Sequence, residues 1–242
     1  EQDSRHYAKA AKLPMLEPAD SAEALEMAQL AYDLSEQFDT AVLLKMCTRV
    51  AHSQSVVEPG ERITPLEKPY EKNGAKYIMM PGNAKRRHPV VEERTKALIA
   101  WAETASINRI EAGRDKSVGI ITSSTSYQYV KEALGDTYPV MKLGMIWPMP
   151  EQKIRDFAAG VEQLVVVEEL DGFIEAHCRS LGLVVRGKEL FSCIDELNQN
   201  IVAEKLGKAP DVGMKLSDPI PPRPPVMCAG CPHRGLFYTL NK

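Results

Sequence analysis

No run of this sequence approaches the roughly eighteen consecutive apolar residues that a membrane-spanning helix requires. No charged-then-apolar export signal opens the chain. There is no basic excess either: the formal net charge is -3, which argues against a protein that wraps nucleic acid. The phosphate-binding signatures GxGxxG and GxxxxGK[ST] are both missing. Cysteine is scarce and odd in number, five in all, so a disulfide framework is not expected. These absences leave a cytoplasmic protein without a membrane or nucleic-acid role. At 242 residues it is long enough for one large domain or two smaller ones with real cores.

The clearest order lies between residues 117 and 206. Val118–Ile121, Val140–Ile146 and Leu164–Val167 read as strands, and Val184–Val185 as the start of a fourth. Helices are predicted over Ser126–Leu134, Glu151–Ala159, Ile174–Leu181 and Ile194–Leu206. β-branched runs alternating with helices describe a parallel sheet covered on both faces, with an independent core. Glu168 and Glu169 stand at a strand end. The run Thr122–Ser126 suits helix capping and turn formation, or an anion at a helix N-terminus.

Upstream, residues 19–38 read as a helix capped by Asp20 or Ser21, with Leu25, Ala28 and Tyr32 on its apolar face. Ala41–Leu44 reads as a buried strand, and its polar exit brings Arg49 and His52 forward as site candidates, or as an ordinary solvated loop. Residues 57–90 carry Pro59, Gly60, Pro65, Pro69, Gly74, Pro81, Gly82 and Pro89 and read as an irregular connector. It holds Lys85-Arg86-Arg87-His88, a basic cluster that fits a phosphate, an acidic partner or simply a solvated face. A helix follows over 90–111, with Ala97, Leu98 and Trp101 inward.

Cys47, Cys178 and Cys193 read as buried small hydrophobes. Cys228 and Cys231 differ. Two thiolates two residues apart, with Gly230 between them, suit half a zinc site, a redox dithiol or part of an iron–sulfur site. A proline-rich linker over 207–225 delivers the chain to them, and an apolar helix-like segment with Leu236, Phe237, Tyr238 and Leu240 follows. The opening at Glu1 without methionine and the stop at Lys242 lead us to expect an internal piece of a longer protein.

The string from Arg223 to Leu240, with its CAGCPHRG core, resembles the alpha subunits of the indolepyruvate ferredoxin oxidoreductases, which are thiamine-dependent enzymes. Asp3–Pro18, Thr48–Ser53, Pro81–Pro89, Leu143–Pro150 and Val165–Glu169 match in the same order. Ala229 departs from the family's usual proline, while both cysteines, Gly230, Pro232, His233 and Arg234 remain. The resemblance implies an α/β fold: a transketolase C-terminal-like parallel-sheet domain at 113–206, flanked by partial thiamine-fold domains. Residues 1–56 would end the pyrimidine-binding domain, 57–112 would be a connector with a helix, and 226–242 would open the pyrophosphate-binding domain. The activating glutamate would then lie before Glu1, and the GDG-type anchor for magnesium and pyrophosphate after Lys242.

The reaction implied is oxidative decarboxylation of indolepyruvate and related aryl 2-oxoacids. Coenzyme A takes the acyl group and ferredoxin the electrons. The cofactors implied for the full-length protein are thiamine pyrophosphate, Mg2+ and [4Fe-4S] clusters, with none held by this stretch alone. A beta subunit and an oligomeric assembly are implied as well. Carried over residue by residue, Cys228 and Cys231 become metal ligands, and Gly230, His233 and Arg234 cofactor-binding groups. His233 joins Arg49 and His52 as a catalytic candidate. A structural, subunit-docking module with no ligand of its own is the competing expectation.

Overall fold

In the computed structural model, residues 2–62, 64, 69–213, 221 and 226–242 are described. They form two compact units, Glu1–Pro210 and Asp211–Lys242. Among the described residues, no helix is long and apolar enough to cross a membrane.

The first unit opens with α1 (Arg5–Ala11), β1 (Met15–Leu16), α2 (Ser21–Phe38), β2 (Leu43–Leu44) and α3 (Thr48–His52). Asp20 caps α2 by accepting from the Glu23 backbone N–H at 2.9 Å, and Glu23 reaches back to accept from the Ala19 N–H at 2.8 Å. That reciprocal pair satisfies two donors at the helix start. The buried face of α2 carries Met27 and Leu34, whereas Leu25 and Tyr32 are exposed. The expected face was therefore the wrong one: a helix–helix contact, unseen in the sequence, selects Met27, Leu30, Leu34 and Phe38 instead.

Next come α4 (Gly74–Tyr77), α5 (Pro81–Thr104) and β3 (Arg109–Glu111). The connector expected to last to residue 90 ends earlier, because Pro81 starts α5 at its first turn, where a missing N–H costs nothing. The helix expected to reach 111 stops at Thr104, and Arg109–Glu111 is a strand. Pro65 of that connector lies outside the described residues.

The remaining elements of this unit are β4 (Val118–Ser123), α6 (Ser124–Leu134), β5 (Val140–Leu143), β6 (Met145–Trp147), α7 (Glu151–Ala159), β7 (Gln163–Val167), α8 (Phe173–Ser180), β8 (Val185–Arg186) and α9 (Gln199–Lys205). A five-stranded sheet has the order β3-β5-β4-β7-β8, parallel except for the antiparallel edge strand β3. Its side chains alternate between two apolar layers. Ile121, Met141, Leu143, Leu164 and Val166 face α7 and α8. Ile120, Val140, Val165 and Val167 face α6 and α9. Period-two alternation into two buried faces is the pattern of a doubly covered sheet. The core is not independent of the N-terminal segment, because Ala8, Met15 and Ala19 pack into it.

The single strand expected over Val140–Ile146 is two. Gly144 divides it, sending β5 into the large sheet and β6 into a second sheet of order β2-β1-β6. A Cβ at Gly144 would come within 2.5 Å of the Ile107 carbonyl oxygen, so only glycine fits this close approach. Asn108 pins the break: its side-chain oxygen accepts from the Gly144 and Met145 N–H groups at 3.0 Å each, and its amide donates to Ala102 O at 3.0 Å. The last helix is shorter than expected, since Asn198 caps it and residues 192–197 are irregular.

In the second unit, a turn over Cys228–Cys231 precedes α10 (His233–Leu240), whose Leu236, Phe237, Tyr238 and Leu240 are exposed. Of the expected proline-rich linker, residues 214–220 and 222–225 lie outside the described residues.

Candidate functional site

From β4 the chain crosses to β5 on one side, and later returns to β7 on the other. The connections diverge there, and ligands of open α/β sheets bind outside the strands' carboxyl ends at such a point. A crevice of about 490 Å³ opens there, lined by Arg5, Glu17, Lys45, Cys47, Arg49, Ser123, Ser124, Ser126, Glu169 and Cys193 among others.

Behind Arg5, one of its lining residues, lies a buried charge network. Glu168, at the end of β7, accepts from Arg5 Nη1 at 2.7 Å and from the N–H groups of Ile174 and Glu175 at 3.0 Å each. One carboxylate thereby closes the start of α8, where the helix dipole favours negative charge. Arg5 also donates to both Asp3 oxygens, and to the Glu169 and Asp171 carbonyls at 2.8 and 3.0 Å. Its guanidinium lies 5.3 Å from the Phe173 ring centre. Burial opposes ionisation of Asp3, but the Arg5 contacts outweigh it and hold the Asp3 carboxyl below its ordinary range. Burial pushes the Glu168 carboxyl up, against the pull of Arg5 and the two N–H groups.

One wall is built the same way. Ser123 donates to Glu17 Oε2 at 2.7 Å, and Lys45 Nζ stands 2.8 Å from Glu17 Oε1. The hydroxyl expected to cap α6 is thus turned to a distant glutamate, and α6 begins without a side-chain cap. Asp3, His6 and Asp171 bring three potential ligand atoms within 4.8 Å of one another. Both Asp3 oxygens are already committed to Arg5, so this trio belongs to the ion-pair network. The crevice can bind and orient a polar ligand through Lys45, Arg49 and the serine hydroxyls.

Of the sequence candidates, Arg49 lines the crevice, paired with Glu196 and 5.8 Å from the Tyr129 ring centre. His52, three residues on, is exposed and is not among the lining residues. The other candidates sit in the second unit. Gly230 takes φ +76, and the Cys231 N–H donates to Cys228 O at 3.2 Å. Cys231 Sγ is 3.3 Å from His233 Nδ1, and Arg234 donates to Met227 O at 2.6 Å. Cys228 is exposed and Cys231 half-buried. Two thiols on one tight turn fit two of the four thiolates an iron–sulfur cluster needs. Cys178 is buried as expected, whereas Cys193 is exposed and Cys47 half-buried, and the last two line the crevice. Sequence reading missed Arg5, Glu17 and Lys45.

Residues 109–215, which begin at β3 and contain the whole five-stranded sheet, match the indolepyruvate oxidoreductase domain family. Similarity extends beyond the matched span. Indolepyruvate oxidoreductase subunit IorA of Archaeoglobus fulgidus is 35% identical over 264 residues, covering 100% of this chain and 42% of that protein. The same subunit of Thermococcus kodakarensis is 32% identical over 270 residues, with the same coverage. The chain therefore spans less than half the length of these curated relatives. Among solved structures, the 2-oxoglutarate:ferredoxin oxidoreductase of Magnetococcus marinus has a similar fold. The TM-score is 0.54 at 15% identity, covering 80% of this chain and 41% of that one.

Proposed function

We propose that the chain is part of a thiamine-dependent 2-oxoacid:ferredoxin oxidoreductase of the indolepyruvate type. The observation that carries this is the similarity to IorA subunits across 100% of the chain, at 35% identity to the Archaeoglobus fulgidus relative. The reaction is oxidative decarboxylation of indolepyruvate and related aryl 2-oxoacids. The acyl group passes to coenzyme A and the electrons to ferredoxin, in a cytoplasmic oligomer that includes a beta subunit. Thiamine pyrophosphate with Mg2+ supplies the carbanion chemistry when bound, and [4Fe-4S] clusters carry the electrons. Cys228 and Cys231 contribute two thiolates to one cluster, a role their shared turn supports. Gly230, His233 and Arg234 bind cofactor. His233 stands beside Cys231 and orients it, and Arg49 at the crevice and His52 beside it serve substrate positioning.

On this reading the anchor for pyrophosphate lies outside these 242 residues, and this stretch by itself is inactive. The test is dye or ferredoxin reduction dependent on indolepyruvate and coenzyme A. The full-length protein with its beta subunit is compared with the 242-residue chain. Activity is expected only in the first. Substrate-dependent reduction by the chain alone refutes its inactivity. A full-length complex loaded with thiamine pyrophosphate and iron, yet inert toward every aryl 2-oxoacid offered, refutes the functional reading.

A further inference from the structure

Helix α2 carries a second apolar stripe. Met27 and Leu34 bury its inner side, yet Leu25 and Tyr32 stand on the opposite side, and Tyr32 is 79% exposed. Leu25, Gln29 and Tyr32 follow helical spacing and form one outer stripe. Carboxylates flank it. From Leu13 to Leu44 the sequence has seven Asp and Glu and no Lys, Arg or His. Glu17, Asp20, Glu23 and Asp39 are tied to partners elsewhere in the fold. Glu26 and Asp33 are exposed and have no partner among the described residues.

The opposite composition follows in the chain. Residues 72–88 carry five Lys and Arg and no Asp or Glu. Lys76 and Arg87 are committed to Asp39. Lys85 and Arg86 are exposed and meet no carboxylate among the described residues. Just before them, Tyr77, Ile78, Met79 and Met80 are four successive apolar side chains, each more than half exposed. Residues 81–90 of α5 include no buried side chain, and Pro89 supplies no N–H to the helix. Helices in proteins draw most of their stability from packing an apolar face, so these first turns of α5 lack the usual support. Tyr, Met and Arg are also the side chains enriched where proteins meet.

We propose that the two surfaces meet between two copies of the chain. The basic arm over residues 77–90 of one copy lies on the Leu25–Tyr32 side of α2 in the other. Each copy has one acidic stripe and one basic arm, so a two-fold pair satisfies both contacts at once. Burial of Tyr32 against the arm's apolar residues supplies attraction, and Glu26 and Asp33 facing Lys85 and Arg86 fix the register. The pairing uses no residue of the crevice and does not rest on the proposed reaction.

Sedimentation velocity of the 242-residue chain tests this. A dimer is expected at micromolar concentration in about 50 mM salt, weakened about tenfold in about 500 mM salt. Reversing the arm, by Lys85→Glu with Arg86→Glu, weakens self-association at least about tenfold while circular dichroism stays unchanged. Reversing the stripe, by Glu26→Lys with Asp33→Lys, does the same. An equimolar mixture of the two reversed proteins restores the dimer, because the reversed arm then faces the reversed stripe and the native arm the native stripe. A monomer at every concentration overturns the proposal. So does a dimer indifferent to both reversals, or a mixture that fails to pair. The full-length protein must show the same rescue, and its absence there gives the surface to the remainder of the longer chain and overturns the pairing of copies.

Discussion

Strands β4, β5 and β7 run six, four and five residues and bury their side chains in two apolar layers. Strands β1, β2 and β6 have two, two and three residues, too few to hold a register by backbone pairing alone. Polar groups join the small sheet to the large one: Arg5 across to Glu168, Ser123 across to Glu17, and Asn108 at the Gly144 break. Apolar alternation can set a sheet's register from its own strands. A seam between sheets has no such repeat, and here it depends on a few buried polar contacts. The large sheet should therefore tolerate many conservative changes, and the seam few.

The sharpest way to break that contrast is Arg5→Met. It leaves Asp3 and Glu168 buried without their cation, and removing one partner of a buried pair costs roughly 3–5 kcal/mol. Denaturant unfolding should show this loss, and adding Glu168→Gln should recover part of it. A loss below about 1 kcal/mol would mean the seam does not need its charge.

The next effect depends on pH. His177 on α8 packs edge-on to Trp147 of β6, with ring centres 6.4 Å apart, and its buried Nε2 has no hydrogen-bond partner among the described residues. Burial, aided by Lys9, pushes its pKa from 6.5 down to about 4. The unfolded chain then binds a proton that the folded chain refuses. The stabilisation is complete above pH 6.5 and drains away as pH falls toward about 4, by roughly 3 kcal/mol in all. Comparing stability from pH 7 to 4 with that of His177→Gln isolates this share. Parallel profiles for the two proteins would rule it out.

The smallest expected change sharpens the contrast at one residue. Asn108→Ala removes the acceptor of two buried N–H groups and should cost about 2 kcal/mol. Hydrogen exchange should then quicken at Gly144 and Met145 and not at Val165 or Val166. Equal quickening at all four positions would place Asn108 in the large sheet's own stability.

The same division explains what the sequence disclosed. Val118–Ile121 and Leu164–Val167 were legible as strands because their β-branched runs bury both faces. β2 and β8 fall where strands were expected, at Ala41–Leu44 and Val184–Val185, whereas the two-residue β1 and the split at Gly144 are tertiary decisions with no local period. Arg49 was visible because it follows a strand-like run, and the cysteine pair because its spacing is chemical. Arg5 and Glu17 were invisible, since each looks like an ordinary charged residue until its partner, 163 and 106 positions away, is known.

That 163-residue separation bears on when the crevice comes into being. The strand–helix–strand crossovers of the large sheet close over short stretches of chain, and short closures forfeit least entropy. The contact of Arg5 with Glu168 closes nearly the whole unit and can be rewarded only after β7 and the start of α8 exist. On a ribosome Arg5 emerges long before its carboxylate partner, 163 residues later, is made. The contact beneath the crevice therefore forms only after the chain has been made as far as the start of α8.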